Sequence, residues 1–353
     1  MTSVALQDLE SFKLSASLPD YQTVGHFLFI DTANGDTVLG INALGNPCLQ
    51  THGTATHWWR RRIFRPAGVA TGTRGGRSTV YGGVFYWGWW DAATELYQCS
   101  LEFDGVNGQL RAYQGCRWNG GSGALIGQTG LMAFVPGSEF FAEAGVTIAA
   151  GTGGAMSVKI NGLPALTLSG VATQTSAVAG YHTVQDAWGG AQSGFGLVAI
   201  VQQSDLYWRD GTTFLGPGRC FGMVPASAGD LSQFTPTGGA NYANLAHLPP
   251  VGDANSNASS TVGQTDLVHT NGPCAGISVG GVMVSRTSRA DAAGTRSGQS
   301  LLKSSTTLST GAITAEGTGY ATYFDCWDND PATSAPFTVT AVNLAQIGYT
   351  VEA

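Results

Sequence analysis

Apolar and polar residues take turns in short runs along the chain, and clusters of Gly, Asn, Asp and Ser separate the runs. Alternation puts every second side chain on one face of an extended backbone, so the pattern predicts β-strands joined by turns. Residues 157–160 and 163–168 form the clearest hairpin, because the Asn161-Gly162 pair between them suits a turn with positive φ at both positions. Residues 101–103 and 109–113 flank 104–108 in the same way, and 25–30 and 37–41 flank the turn residues Ala33, Asn34, Gly35 and Asp36. Residues 195–201 are a nearly continuous apolar run of strand length, as in a strand buried on both faces. Further strands are expected at 276–285, 305–308, 320–325 and 337–342. No stretch sustains a helical period; 8–17 has room for a turn or two.

The pattern weakens after a composition shift at 213–217. From Met223 to about Ser260 the chain is rich in Pro, Ala, Asn, Gly and Ser. Structureless stretches of this length are uncommon inside a compact domain, so this one reads as an ordered loop lying on a surface or interface. Residues 1–212 are therefore expected to form a β-sandwich. Residues 213–353 are expected to form a second β unit that begins with the long ordered loop, 213–260.

Composition supports that division. The chain has 353 residues, beyond the ~250–300 at which one core stops growing. Only 11% of residues are charged and Lys is nearly absent, which excludes a long helical protein. A net charge of −7 argues against general nucleic-acid binding, which needs a basic footprint. No basic segment followed by an apolar run marks a signal peptide, and no apolar run approaches the ~18 residues of a membrane span. Six cysteines at 48, 99, 116, 220, 274 and 326 are widely spaced with no Cys-x-x-Cys, which predicts reduced, buried thiols and no zinc site.

Candidate chemistry is sparse. Glu102 and Asp104 stand two apart on a strand, as paired acids of sandwich glycosidases do, but the next position on that face is Val106. They read as the edge of a turn. No Gly-x-Ser-x-Gly occurs, and His26, His52, His57, His182, His247 and His269 show no metal or triad spacing. Asp205 and Asp210 are too few for a calcium site and read as turn caps. No catalytic residue, cofactor or metal ligand is expected. Along residues 85–90, Phe85, Trp87 and Trp89 fall on one side and Tyr86 and Trp90 on the other. At least one side must be core; Trp87, Trp89 and Trp90 are candidates for a glycan or partner surface. Arg60, Arg61, Arg62 and Arg65, beside Trp58 and Trp59, have the composition of a subunit contact, with a solvated strand face and a polyanion site as alternatives. In the long loop, Phe234, Tyr242, Leu245 and Leu248 among prolines are candidate interface anchors.

Three segments, 104–113, 156–169 and 198–208, resemble a concanavalin A-like sandwich of the laminin-G type. The wider pattern resembles virion structural proteins of tailed bacteriophages. It runs through 204–212, Phe214-Leu215-Gly216, Val224-Pro225, Gly229-Asp230, Gln233-Phe234-Thr235-Pro236, 262–267, Asp330-Pro331 and Phe337-Thr338, ending at 342–348. Ser204-Asp205 and Phe337 depart from the family's Asp-Asp and Trp, which weakens any metal inference. The resemblance implies an all-β fold, a concanavalin A-like jelly roll followed by a second sandwich-like unit, and no enzyme activity. It implies a tail, fibre, collar or capsid-decoration protein located in the virion and made in the host cytoplasm. The implied partners are copies of itself, with a trimer as first choice, other virion proteins and host surface glycans. A glycan-active hydrolase and a free lectin-like module are the alternatives on the same fold.

Overall fold

The computed structural model describes residues 3–7, 37–41, 47–53, 58–91, 94, 96–117, 122–178, 180–189, 199–218, 222–246, 252–272, 278–292, 294 and 296–352. Their side chains are described from 69 onward, except at 182–189 and 199–206. The described chain is almost entirely β, as the alternation predicts. It divides into two compact units, Asp20–Arg219 and Met1–Pro19 with Cys220–Ala353. The break thus falls a few residues beyond the expected 212. The first residues of the chain, with strand β1 (Ser3–Gln7), group with the second unit.

In the unit Asp20–Arg219 one antiparallel sheet is built from β12 (Leu163–Val171), β11 (Gly154–Ile160), β10 (Glu139–Thr147), β5 (Thr71–Tyr81), β14 (Ala199–Asp210), β3 (Pro47–Gly53) and β2 (Thr37–Ile41), in that order. The other runs β4 (Trp58–Val69), β13 (Tyr181–Gly189), β6 (Val84–Asp91), β7 (Leu96–Asp104), β8 (Gln109–Gln114) and β9 (Ala124–Gln128). Their inner faces meet over an aromatic core. The Phe103 and Phe140 rings stack at 6.0 Å, and Phe134 wedges in 4.6 Å from Phe140. Trp87 meets Phe103 edge-on at 4.9 Å, and the buried Arg74 lies 4.1 Å over the Trp87 ring. Strand β11 shows why its residues extend: Met156, Val158 and Ile160 are buried, while Ala155, Ser157 and Lys159 between them are not. The β11–β12 turn has φ +51° at Asn161 and +81° at Gly162, the geometry that the Asn-Gly pair predicts.

The second unit has a sheet ordered β15 (Pro225–Ser232), β18 (Thr265–Thr270), β24 (Gln346–Val351), β20 (Ser297–Ser304) and β21 (Thr307–Thr310), with β22 (Thr314–Ala315) also on β20. Strand β19 (Val282–Ser288) pairs with β23 (Ala321–Trp327), and β16 (Thr235–Pro236) with β17 (Asn257–Ala258). Val284, Leu302, Phe337, Val342 and Ala345 form its apolar core. A buried ion pair links the β19–β23 pair to the larger sheet. Arg286 on β19 meets Glu316 at 2.6 Å, donates to Ser300 Oγ and the Gly298 carbonyl, and lies between the Tyr323 and Tyr349 rings at 4.3 and 4.9 Å. Tyr349 and Ser288 donate to the same Glu316 oxygen. A buried pair holds only when the remaining polar groups are satisfied in this way.

Three expectations are corrected here. The segment 223–260 is not a loop: it carries β15, the β16–β17 pair, a short helix α1 (Asn241–Leu245) and a 3-10 turn at Gly252–Asn255. Residues 337–342 are not a strand, because Thr338 Oγ1 accepts from the Ala341 N–H at 3.0 Å and caps a helix, α2 (Val339–Leu344). Ser305 is a turn residue with φ +53°, so the strand expected at 305–308 starts at Thr307. The expected strand at 25–30, with its turn, lies outside the described residues, as does most of 195–201 up to the start of β14 at Ala199.

Candidate functional site

A connected group of ionisable side chains in the first unit sits on the face of the six-stranded sheet opposite the aromatic core. Pairing aligns Tyr86 on β6 with Glu102 on β7, and Glu102 with Arg111 on β8. Arg111 reaches Glu102 Oε1 at 2.6 Å and Asp104 Oδ2 at 2.9 Å. The Tyr86 hydroxyl donates to Glu102 Oε2. Asp104 Oδ1 accepts from the backbone N–H groups of Val106 and Asn107 at 2.9 and 3.1 Å, and Asn107 Nδ2 donates to Oδ2. Asp104 is therefore the turn cap that the sequence suggests, and it also helps to hold Arg111. Tyr86, Tyr113 and Cys116 pack together beside this group.

These surroundings decide the protonation states. Burial raises the Tyr86 pKa, and the charge and hydrogen bond of Glu102 raise it further. Burial and Glu102 also raise Tyr113, against the opposing pull of Arg111 and Arg117. Burial works to raise Asp104 as well, but donation from the Asn107 side chain and from the Asn107 and Val106 backbones, with Arg111, outweighs it and lowers its pKa. A tyrosine held protonated is a poor proton acceptor, and carboxylates whose oxygens are already engaged are poor nucleophiles. The arrangement suits holding a charge in place.

Sequence reasoning isolated Glu102 and Asp104 and missed Arg111 and Tyr86. Counting back from the 105–108 turn pairs Asp104 with Gln109 and hence Glu102 with Arg111, so the signal was present in the hairpin spacing. A second group was also missed. Glu143, fully buried on β10, accepts from the Tyr207 hydroxyl and from the Gly216 N–H at 2.7 Å, fastening the 214–216 segment to the other sheet.

The aromatic candidates are corrected. Trp87 and Trp89 are fully buried and Trp90 is 8% exposed, so none offers an open platform. Both sides of that strand are covered, one by the sandwich core and the other by the tyrosine group. Phe234 is also buried, edge-on to Tyr349 at 5.6 Å, and is core to the second unit instead of an exposed anchor. Tyr242 is half-buried on α1 and Leu245 is 42% exposed; Leu248 lies outside the described residues. Arg60, Arg61, Arg62 and Arg65 lie on β4, at the edge of the six-stranded sheet as described, where Arg61 is in register with Asp186; their side chains lie outside the described set. Among the described residues no three His, Cys, Asp or Glu side chains are grouped to hold a metal ion, and no helix is long and apolar enough to cross a membrane.

No protein-family model and no curated protein matches the chain. Among solved structures it is similar to an alginate lyase from a Chlorella virus, at 9% identity and a TM-score of 0.42, covering 59% of this chain and 99% of that one. It is similar to an endo-β-1,4-glucuronan lyase from Trichoderma reesei at 12% identity and a TM-score of 0.39, covering 55% and 94%. A carbohydrate-binding module from Bacillus subtilis aligns at 10% identity and a TM-score of 0.30, covering 48% and 91%.

Proposed function

We propose that the chain is a structural component of a tailed-bacteriophage virion, working by assembly with copies of itself and with neighbouring virion proteins, and not by catalysis. The observation that carries this reading is what the residues of the phage-like pattern do. Asp266 Oδ1 accepts from the Gln233 and Phe234 N–H groups at 2.6 and 2.9 Å, and Gln233 Oε1 accepts from Thr265 N–H. Gln346 Oε1 accepts from Asp230 N–H at 2.9 Å, and Asp330 Oδ1 from Ala332 N–H at 2.9 Å. Phe337 is core and Thr338 is a helix cap. A motif made of such residues specifies a scaffold, not a set of reacting groups. The engagement of Glu102 and Asp104 by Arg111, Tyr86 and the turn points the same way.

A second reading, glycan binding on the sandwich, is favoured by Arg111, whose side chain is 27% exposed, and by the exposed Arg117; the Tyr113 ring beside them is buried and offers no stacking face. An accessible guanidinium is suited to a carboxylate of a sugar acid.

The test has two arms. Purified particles of the encoding phage should contain the chain at a fixed copy number in a reconstruction. The purified protein should leave a panel of neutral and acidic polysaccharides intact. Absence from the particle would overturn the virion reading. Polysaccharide cleavage abolished by Glu102→Gln would overturn the non-catalytic one.

A further inference from the structure

The sandwich unit ends at residue 219, and residue 220 begins the larger part of the other unit. Just before that boundary, 212–218 lies as a strap on the seven-stranded sheet, on the face turned away from Phe140 and the aromatic core. Gly211 fixes its near end: the N–H donates to the Thr71 carbonyl at 3.2 Å, and the carbonyl accepts from Thr73 Oγ1 at 2.7 Å. Side chains of the sheet hold the rest. Lys159 sits 4.7 Å from the Phe214 ring. The Leu215 N–H donates to the Tyr207 hydroxyl at 3.3 Å, the Gly216 N–H to Glu143 Oε1 at 2.7 Å, and Arg77 Nη2 to the Gly218 carbonyl at 3.4 Å.

Glu143 and Tyr207 are the centre of this fastening. Pairing puts both in register with Gly75, on the strand between them. A Cβ at Gly75 would fall 2.2 Å from the Tyr207 ring, so glycine lets the ring cross β5 and its hydroxyl donate to Glu143. Burial and the charge of Glu143 raise the Tyr207 pKa, which keeps the donated proton in place. The fastening is nevertheless weak. Thr212, Thr213, Pro217 and Gly218 are exposed, and 214–216 are only half-buried. Glu143 is fully buried, yet among the described residues nothing donates to its Oε2. A buried carboxylate oxygen without a donor destabilises the closed arrangement, and water reaches it once the strap lifts. Segments with few buried contacts open locally, well below the free energy of global unfolding.

We infer that 212–218 is a latch that closes on Glu143 and Tyr207 and opens without unfolding the sandwich. Opening turns a surface-bound segment into free tether, about 25 Å when extended, leading on to residue 220. A virion partner that binds the bared sheet face would hold the open form. The inference goes beyond the virion reading and is tested on the isolated chain, so either can fail alone.

The experiment is hydrogen exchange read by mass spectrometry on the full chain, with β11 as internal reference. Wild-type amides at 213–216 should exchange more slowly than an unstructured peptide and faster than those of β11. Tyr207→Phe removes the partner of the Leu215 N–H and one donor to Glu143, and should speed strap exchange. Gly216 has φ +86° and open space where a Cβ would lie, so Gly216→Ala strains the closed strap alone. Its strap amides should exchange about tenfold faster, with β11 unchanged, because a left-handed conformation disfavours any residue with a Cβ. Gly216→Pro cannot adopt that φ and has no N–H to donate. It should leave the strap open and raise the maximum dimension in small-angle scattering. Wild-type strap amides that exchange together with β11, or at the rate of an unstructured peptide, would overturn the latch. So would unchanged strap exchange in Tyr207→Phe or Gly216→Ala. An open strap in Gly216→Pro with unchanged dimension would overturn the release of tether.

Discussion

Asp104 shows how much one side chain can be asked to do. It caps the turn after β7 and shares Arg111 with Glu102, and its donors hold its pKa below the ordinary 3.8. A carboxylate favoured in the folded state stabilises that state at pH values above its unfolded pKa. The contribution fades as pH falls below 3.8 and through the lower folded value. Melting temperature should therefore drop between about pH 5 and pH 2, and Asp104→Asn should flatten that acid limb. At neutral pH the variant should be less stable by about 1–3 kcal/mol, read from urea unfolding, because the turn N–H groups and Arg111 lose an ionised partner. An acid limb equally steep in the variant would assign the effect to other carboxylates. The cap was legible from Asp104 standing before Gly105-Val106-Asn107-Gly108. The Tyr86 and Arg111 contacts needed strand pairing as well, because the three residues come from three different strands.

Among elements, legibility follows side-chain burial. The β11–β12 hairpin stands out because its strand alternates and its turn demands two positive φ values. Gly162→Ala should cost about 1–2 kcal/mol of unfolding free energy, the penalty of a Cβ in the left-handed region. Asn161→Gly should be tolerated far better in the same denaturation series. Strand β15 was invisible for the opposite reason. Its side chains are largely exposed and its pairing to β18 is carried by backbone, so no apolar period marks it. Its leading Pro225 sits at the first strand position, where the missing N–H is tolerated. Helix α2 misled because Phe337, Val339 and Ala341 alternate with polar residues and Val and Thr favour strands. The Thr338 cap and the burial of Val342 decide in favour of the helix.

At the scale of the molecule, all-β architecture with two units was readable from alternation, turn residues and length. That the chain's first segment groups with its last could not be read, since no local pattern encodes which distant stretches share a unit. The uneven placement of indole rings has an optical consequence. Of the nine tryptophans, Trp327 alone falls outside Asp20–Arg219. Trp87 and Trp89 are fully buried, while Trp327 is half-buried and donates to Ser309 Oγ at 2.9 Å. Replacing Trp327 with Phe should leave emission that reports the sandwich alone, blue-shifted while folded and moving to longer wavelength as its rings meet water. Circular dichroism of the same variant still sees both units. Midpoints that differ between the two signals would show the halves melting separately, and coincident midpoints would show one cooperative transition. The light from this protein thus comes labelled by region, with no dye attached.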